Sequence, residues 1–253
     1  MSKQVRTKTQ ELHRAQHKAA QRDQSRMRLL KWVGALIVIA LVVAIAVVAV
    51  RAATKEDPPS ASGEVVAPAA ATSDGAIPVG EGAAPVTLEI YYDYMCPACG
   101  AFEAANGAEI DRLLEAGEVR ILLRPISFLD EQSNGTEYST RAANAVATVA
   151  DGAPRSVWEF HRALYEAQPA EGTSGLTDEQ ISELAADAGA PPEVVDRFAA
   201  DTHESWVGYV TDVAFDSGIT GTPTLLIDGE EFGGDAYSTG DLTSAIESAA
   251  GNE

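Results

Sequence analysis

Residues 86–99 read VTLEIYYDYMCPAC, and their character changes once, at Cys96. The run from Val86 to Tyr92 is dense in β-branched and aromatic residues and predicts a strand. From Ala98 to Leu114 the pattern turns helical, with apolar residues at Phe102, Ile110, Leu113 and Leu114 and Gly117 as the stop. Cys96 and Cys99, the only cysteines in the chain, therefore stand at a strand-to-helix turn. A thiol at a helix start faces unpaired N–H groups and the positive end of the helix dipole, which stabilise its thiolate. A second thiol on the same turn is close enough to close a disulfide or to resolve a mixed one.

Two blander uses of the pair are set aside. A zinc half-site needs two further ligands, and the only closely spaced histidines, His13 and His17, lie on the far side of an apolar span. A purely structural disulfide between Cys96 and Cys99 closes too small a loop to add much stability. Redox chemistry is the expectation, with no metal.

Trp32 to Val50 is a run of nineteen uncharged residues, nearly all Val, Ile, Leu or Ala, long enough to cross a bilayer as a helix. It exceeds the core of a cleavable signal, and no clean small-residue cleavage site follows Val50, so it reads as a retained signal anchor. Residues 1–31 hold nine Lys/Arg against Glu11 and Asp23, a net of +7, which keeps this arm in the cytoplasm. The remainder has nine basic and thirty-six acidic residues, a net of −27. The expected localisation is the cell membrane, single-pass, with an acidic C-terminal domain outside. Such a charge disfavours nucleic acid as a partner. Outside the cytoplasm a disulfide is tolerated.

Residues 51–82 are rich in Ala, Pro, Ser and Gly without apolar periodicity and read as a flexible linker that adds nothing to the core. Residues 83–253 form the folded domain. Val119 to Leu123 completes a β-α-β unit with Val86 to Tyr92, most economically with parallel strands. A helical insertion of about 130–216 follows, with helices expected at Thr136 to Ala150, Pro154 to Gln168, Thr177 to Ala188 and Pro191 to Asp216. Thr177 to Gln180 has the pattern of a capping box. Thr224 to Ile227, the turn Asp228-Gly229 and Glu230 to Phe232 predict a hairpin, and Thr239 to Ala250 a last helix.

On these features the chain resembles the DsbA-like branch of the thioredoxin superfamily. The residues that carry the resemblance are Ala84 to Thr87, Tyr92 to Met95 leading into Cys96-Pro97-Ala98-Cys99, then Trp158 to His161 with Leu164-Tyr165, and then Gly221-Thr222-Pro223-Thr224. It covers about residues 80–250. The resemblance implies an α/β thioredoxin-like fold with an inserted helical subdomain, here preceded by one N-terminal transmembrane helix. It also implies that Cys96 is an exposed nucleophile and Cys99 a buried resolving thiol, with Pro97 and Ala98 completing the active-site motif. Thr222 and Pro223 would form a cis-proline loop that lends backbone hydrogen bonds to bound peptide. No cofactor is implied.

Two departures stand out. Many relatives carry a buried acidic residue six positions before the first cysteine, where this chain has Ile90. Glu89 alternates to the opposite face of the strand, so proton transfer is left to water, Asp93 or a slower route. The dipeptide Pro97-Ala98 also lacks the histidine of strongly oxidising relatives. Trp158 and His161 read as packing groups. The function expected is introduction of disulfides into unfolded or secreted polypeptides, with reoxidation by a quinone-linked membrane oxidase. The alternatives are a disulfide reductase or isomerase, as in cytochrome maturation, and a non-catalytic thioredoxin-like chaperone or adaptor.

Overall fold

The computed structural model describes residues 64–251. The expected basic arm and the anchor at Trp32 to Val50 lie outside the described residues. Among those described, no helix is long and apolar enough to cross a membrane.

Strand β2 (Val86–Tyr92) buries Val86, Leu88, Ile90 and Tyr92 and half-buries Thr87, Glu89 and Tyr91, the alternation of a pleated strand. Helix α1 (Pro97–Glu115) returns the chain to β3 (Val119–Pro125), which pairs parallel to β2 with Val86 opposite Val119. After the helical insertion, β4 (Thr224–Ile227) runs antiparallel to the other edge of β2, and β5 (Glu230–Glu231) pairs with β4. A short strand preceding β2, β1 (Ile77–Val79), pairs antiparallel with β3, so the sheet order is β1-β3-β2-β4-β5. The last helix, α7 (Asp241–Ala250), packs on β2, β4 and α1.

The presence of β1 corrects the linker boundary. Residues 64–82 are bound to the domain rather than free of it. Ala76 and Ile77 are fully buried, Arg124 of β3 pairs with the Asp74 carboxylate and donates to its carbonyl, and Ala69 N–H donates to Asp151. The Val66 carbonyl meets Nδ1 of His203 at 2.8 Å. Gly75 has a positive φ of 86°, and a Cβ there would sit 2.6 Å from Val210 Cγ1, so the turn into β1 needs glycine for conformation and closeness alike. The rest of the expected linker lies outside the described residues.

The insertion is built on α2 (Tyr138–Gly152), whose Ala142 to Ala150 run is buried almost throughout. Its small side chains let α3 (Val157–Glu166), α4 (Asp178–Asp187), α5 (Pro192–Val195) and α6 (Glu204–Asp216) pack around it. The capping box at Thr177 and Gln180 forms, with both reciprocal hydrogen bonds. The single helix expected from Pro191 to Asp216 is instead broken into α5, a 3₁₀ turn at Phe198–Ala200 and α6. Asp201 takes a left-handed conformation (φ 49°), and His203 N–H leaves the helix ladder for Asn144 Oδ1 of α2.

Candidate active site

Where β2 ends, Asp93 organises the turn that carries the cysteines. Its buried carboxylate accepts from Met95 N–H (2.8 Å), Leu129 N–H (2.9 Å) and the Ser139 hydroxyl (2.6 Å). Its carbonyl accepts from Cys96 N–H (3.0 Å) and the Tyr165 hydroxyl (3.1 Å). Burial raises the Asp93 carboxyl to about 6, and the Ser139 and backbone donors oppose that rise.

Cys96 is the N-cap of α1 in an extended conformation, and Pro97 follows at the first helical position, where a missing N–H does no harm. The Cys96 carbonyl accepts from Cys99 N–H (3.1 Å), Gly100 N–H (3.2 Å) and the Gln168 side-chain amide (2.8 Å). Both cysteines are free thiols. A hydrogen bond from Cys99 is the largest influence on the Cys96 thiol; with the Thr222 contact and the N–H groups of Cys99 and Ala98 it outweighs burial and lowers the thiol to about 6. Burial and the neighbouring Cys96 push the Cys99 thiol well above its ordinary range. The two thiols thus have opposite tendencies: Cys96 holds a charge and Cys99 holds a proton.

The chain returns to this point after α6. The Thr222-Pro223 peptide bond is cis, and the Cys96 Sγ lies 3.4 Å from the Thr222 carbonyl. The fold thus gathers Cys96, Pro97, Ala98, Cys99, Thr222 and Pro223, residues 126 positions apart at their widest sulfur contact. One expectation changes: Cys96 is only 7% exposed, because the Thr222 loop covers it, rather than openly presented.

Behind α1 lies a buried aromatic cluster. His161, fully buried on α3, stacks at 5.2 Å on Trp158 and meets the edges of Tyr92 and Tyr165. Its Nδ1 is 3.0 Å from the Tyr94 hydroxyl and its Nε2 3.1 Å from Glu103 Oε1. Trp158 donates to Asp111 at 2.6 Å. Both residues pack as expected, yet His161 also joins a polar chain. Ile90 is buried on β2, and Glu89 faces away to pair with Arg124. Sequence reasoning missed Glu103 of α1 and Gln168, just beyond α3, and gave Tyr165 only as part of the resemblance; their further signal was their place on segments that become neighbours.

The family described as Thioredoxin matches residues 72–248. Disulfide bond formation protein D of Bacillus subtilis is 28% identical over 152 residues, 59% of this chain and 66% of that protein. Serine/threonine-protein kinase PknE of Mycobacterium tuberculosis is 34% identical over 121 residues, so the match spans 46% of this chain and 21% of the kinase. Among solved structures, the reduced disulfide bond oxidoreductase DsbG of Mycobacterium tuberculosis superposes with a TM-score of 0.62 at 28% identity, covering 72% of this chain and 90% of that one. MdbA, a thiol-disulfide oxidoreductase from Actinomyces oris, gives 0.63 at 29% identity, with 76% and 94% covered.

Proposed function

Since this chain belongs to the thioredoxin family, we propose that it is a thiol-disulfide oxidoreductase that donates the Cys96–Cys99 disulfide to secreted polypeptides. The observation that carries this reading is the opposed state of the two thiols, Cys96 drawn down to about 6 and Cys99 held protonated. A substrate thiolate attacks the Cys96 Sγ of the disulfide form, and Cys99 leaves and takes up a proton. A second substrate thiol then displaces Cys96 as its thiolate. The substrate loses two electrons and the cysteine pair gains them. Because the departing Cys96 thiolate is stabilised, reduction of the pair is favoured, which makes its disulfide oxidising.

In this reading the Thr222-Pro223 loop lies beside the sulfur that meets substrate and borders the peptide site. The domain works outside the cytoplasm, held at the membrane by the span from Trp32 to Val50. The reduced pair is reoxidised there by a quinone-linked membrane oxidase. The relatives named as disulfide bond formation and thiol-disulfide oxidoreductase proteins support the activity, and the charge asymmetry around the span supports the topology.

The deciding experiment is equilibration of the chain with glutathione buffers, together with an assay of its ability to oxidise a reduced, unfolded test protein. Strong oxidants lie near about −120 mV and thioredoxin near about −270 mV. The expected potential is intermediate and more oxidising than a glutaredoxin's. A potential as low as thioredoxin's, with no oxidation of the test protein, turns the reading to the reductase.

A further inference from the structure

Between the end of β2 at Tyr92 and the start of α1 at Pro97 the chain belongs to no strand or helix, so the backbone of the cysteine turn must find partners outside a ladder. The insertion supplies several of them. The Tyr165 hydroxyl of α3 donates to the Asp93 carbonyl at 3.1 Å. The Gln168 amide, just beyond that helix, donates to the Tyr94 carbonyl at 3.1 Å and to the Cys96 carbonyl at 2.8 Å. The Ser139 hydroxyl of α2 donates to the Asp93 carboxylate at 2.6 Å. Side chains distant in sequence thus cap three carbonyl oxygens and one carboxylate oxygen within the four residues that end on the reactive sulfur.

The disulfide form carries no charge on Cys96, whereas reduction leaves a stabilised thiolate there. Bare oxygens beside a thiolate repel it, and a donor that draws off part of their negative charge relieves that repulsion. Such donors act unequally on the two redox forms: they brace both and favour the reduced one. Tyr165 stands within the field of the pair, since charge on Cys99 adds to the burial that keeps its hydroxyl protonated. A protonated hydroxyl remains a donor. The dipeptide Pro97-Ala98 has no side-chain donor of its own, so this compensation falls to the insertion.

We infer that Ser139, Tyr165 and Gln168 are positioning residues through which the insertion sets the redox balance of the cysteine pair, making its disulfide a stronger oxidant. The inference rests on the dithiol reading above. It concerns the exchange with glutathione, in which two glutathione thiols give two electrons to the Cys96–Cys99 bond. That bond breaks and the sulfur–sulfur bond of oxidised glutathione forms. Of the two protons released, Cys99 keeps one and water takes the other, because Cys96 stays a thiolate. Loss of a donor raises the free energy of the thiolate form more than that of the disulfide form, so the constant for this exchange falls.

The test is the equilibrium constant of the full chain with glutathione at pH 7, measured for the wild type, Gln168→Leu, Tyr165→Phe and Ser139→Ala. The constant for reduction is expected to fall by about tenfold in Gln168→Leu, which is about 30 mV for two electrons, and by about threefold in each of the other two. A contact that only braces the fold lowers the stability of both redox forms alike and leaves the constant unmoved. Any variant within about twofold of the wild type therefore strikes its residue from the set, and all three within that range overturn the inference. If the buried variants do not fold, Gly100→Ala decides by the same readout, because a Cβ there would lie 2.1 Å from Gln168 Oε1 and displace the amide. A lower constant supports the inference and an unchanged one refutes it. A wild-type chain that never exchanges with glutathione sinks the dithiol reading instead.

Discussion

The side-chain amide of Gln168 donates to the Cys96 carbonyl at 2.8 Å and, from the same nitrogen, to the Tyr94 carbonyl at 3.1 Å. A residue just beyond α3 of the insertion thereby holds the turn that presents the cysteines. Gly100 makes the approach possible, since a Cβ there would lie 2.1 Å from Gln168 Oε1.

Gln168→Leu removes both donors while keeping bulk. The expected loss is about 1–2 kcal/mol of stability in the reduced chain, two ordinary hydrogen bonds' worth, read from urea denaturation midpoints. Gly100→Ala should reproduce part of this loss by displacing the amide. A Gln168→Leu chain as stable as the wild type would remove Gln168 from the support of the turn.

The Cys96 thiol should titrate with a midpoint near 6, followed by thiolate absorbance or by the pH dependence of alkylation. Because the hydrogen bond from Cys99 is the largest cause, Cys99→Ser, which keeps a donor, should hold the midpoint low. Cys99→Ala should raise it toward the free-thiol value of about 8.5. Equal midpoints in the two variants would show that the helix start, not the partner thiol, stabilises Cys96.

Stability should depend on pH differently in the two redox forms. The folded Cys96 is more acidic than an unfolded cysteine, so its thiolate adds stability to the reduced chain, fully present above the unfolded value of about 8.5 and lost as pH falls toward the folded value. In the disulfide form that group is absent. The reduced chain's stability relative to the disulfide chain should therefore rise between about pH 6 and pH 8.5. Paired thermal melts over this window check the sign, and a reduced chain that loses stability relative to the disulfide chain as pH rises contradicts the stabilised thiolate.

A chain beginning at Gly80 loses β1, the fully buried Ala76 and Ile77, and the Asp74 contacts of Arg124. It should be less stable by at least about 3 kcal/mol than a chain beginning at Glu64, since one fully buried isoleucine alone is worth about 1.5–3 kcal/mol. Denaturation of the two chains side by side decides whether residues 64–79 belong to the domain.

The cysteine pair and the Thr222-Pro223 loop are legible in the sequence because each is a string of adjacent residues. The helix starts carry their own signals too, as at Thr177 and Gln180. Glu103, Gln168 and Tyr165 take their meaning from the packing of α1 against the insertion, which no local pattern encodes. The segment before β2 reads as linker because β1 is only three residues long with Pro78 at its centre, too short to display an alternation. The break at Asp201 is equally hidden, since apolar residues on both sides keep helical spacing and only the contact between His203 and Asn144 reveals the stop.

The two borders of the sheet have a consequence for a protein proposed to handle unfolded chains. An open strand edge is a template on which foreign extended segments add, and that is the route to aggregation. Here one border is β1, with a proline in the middle of its three residues, and the other is β5, two exposed glutamates. Neither offers a long, neutral row of free N–H and C=O groups. Such borders resist annealing to client chains, which in the proposed reading leaves the sulfur and its surrounding loop as the meeting place.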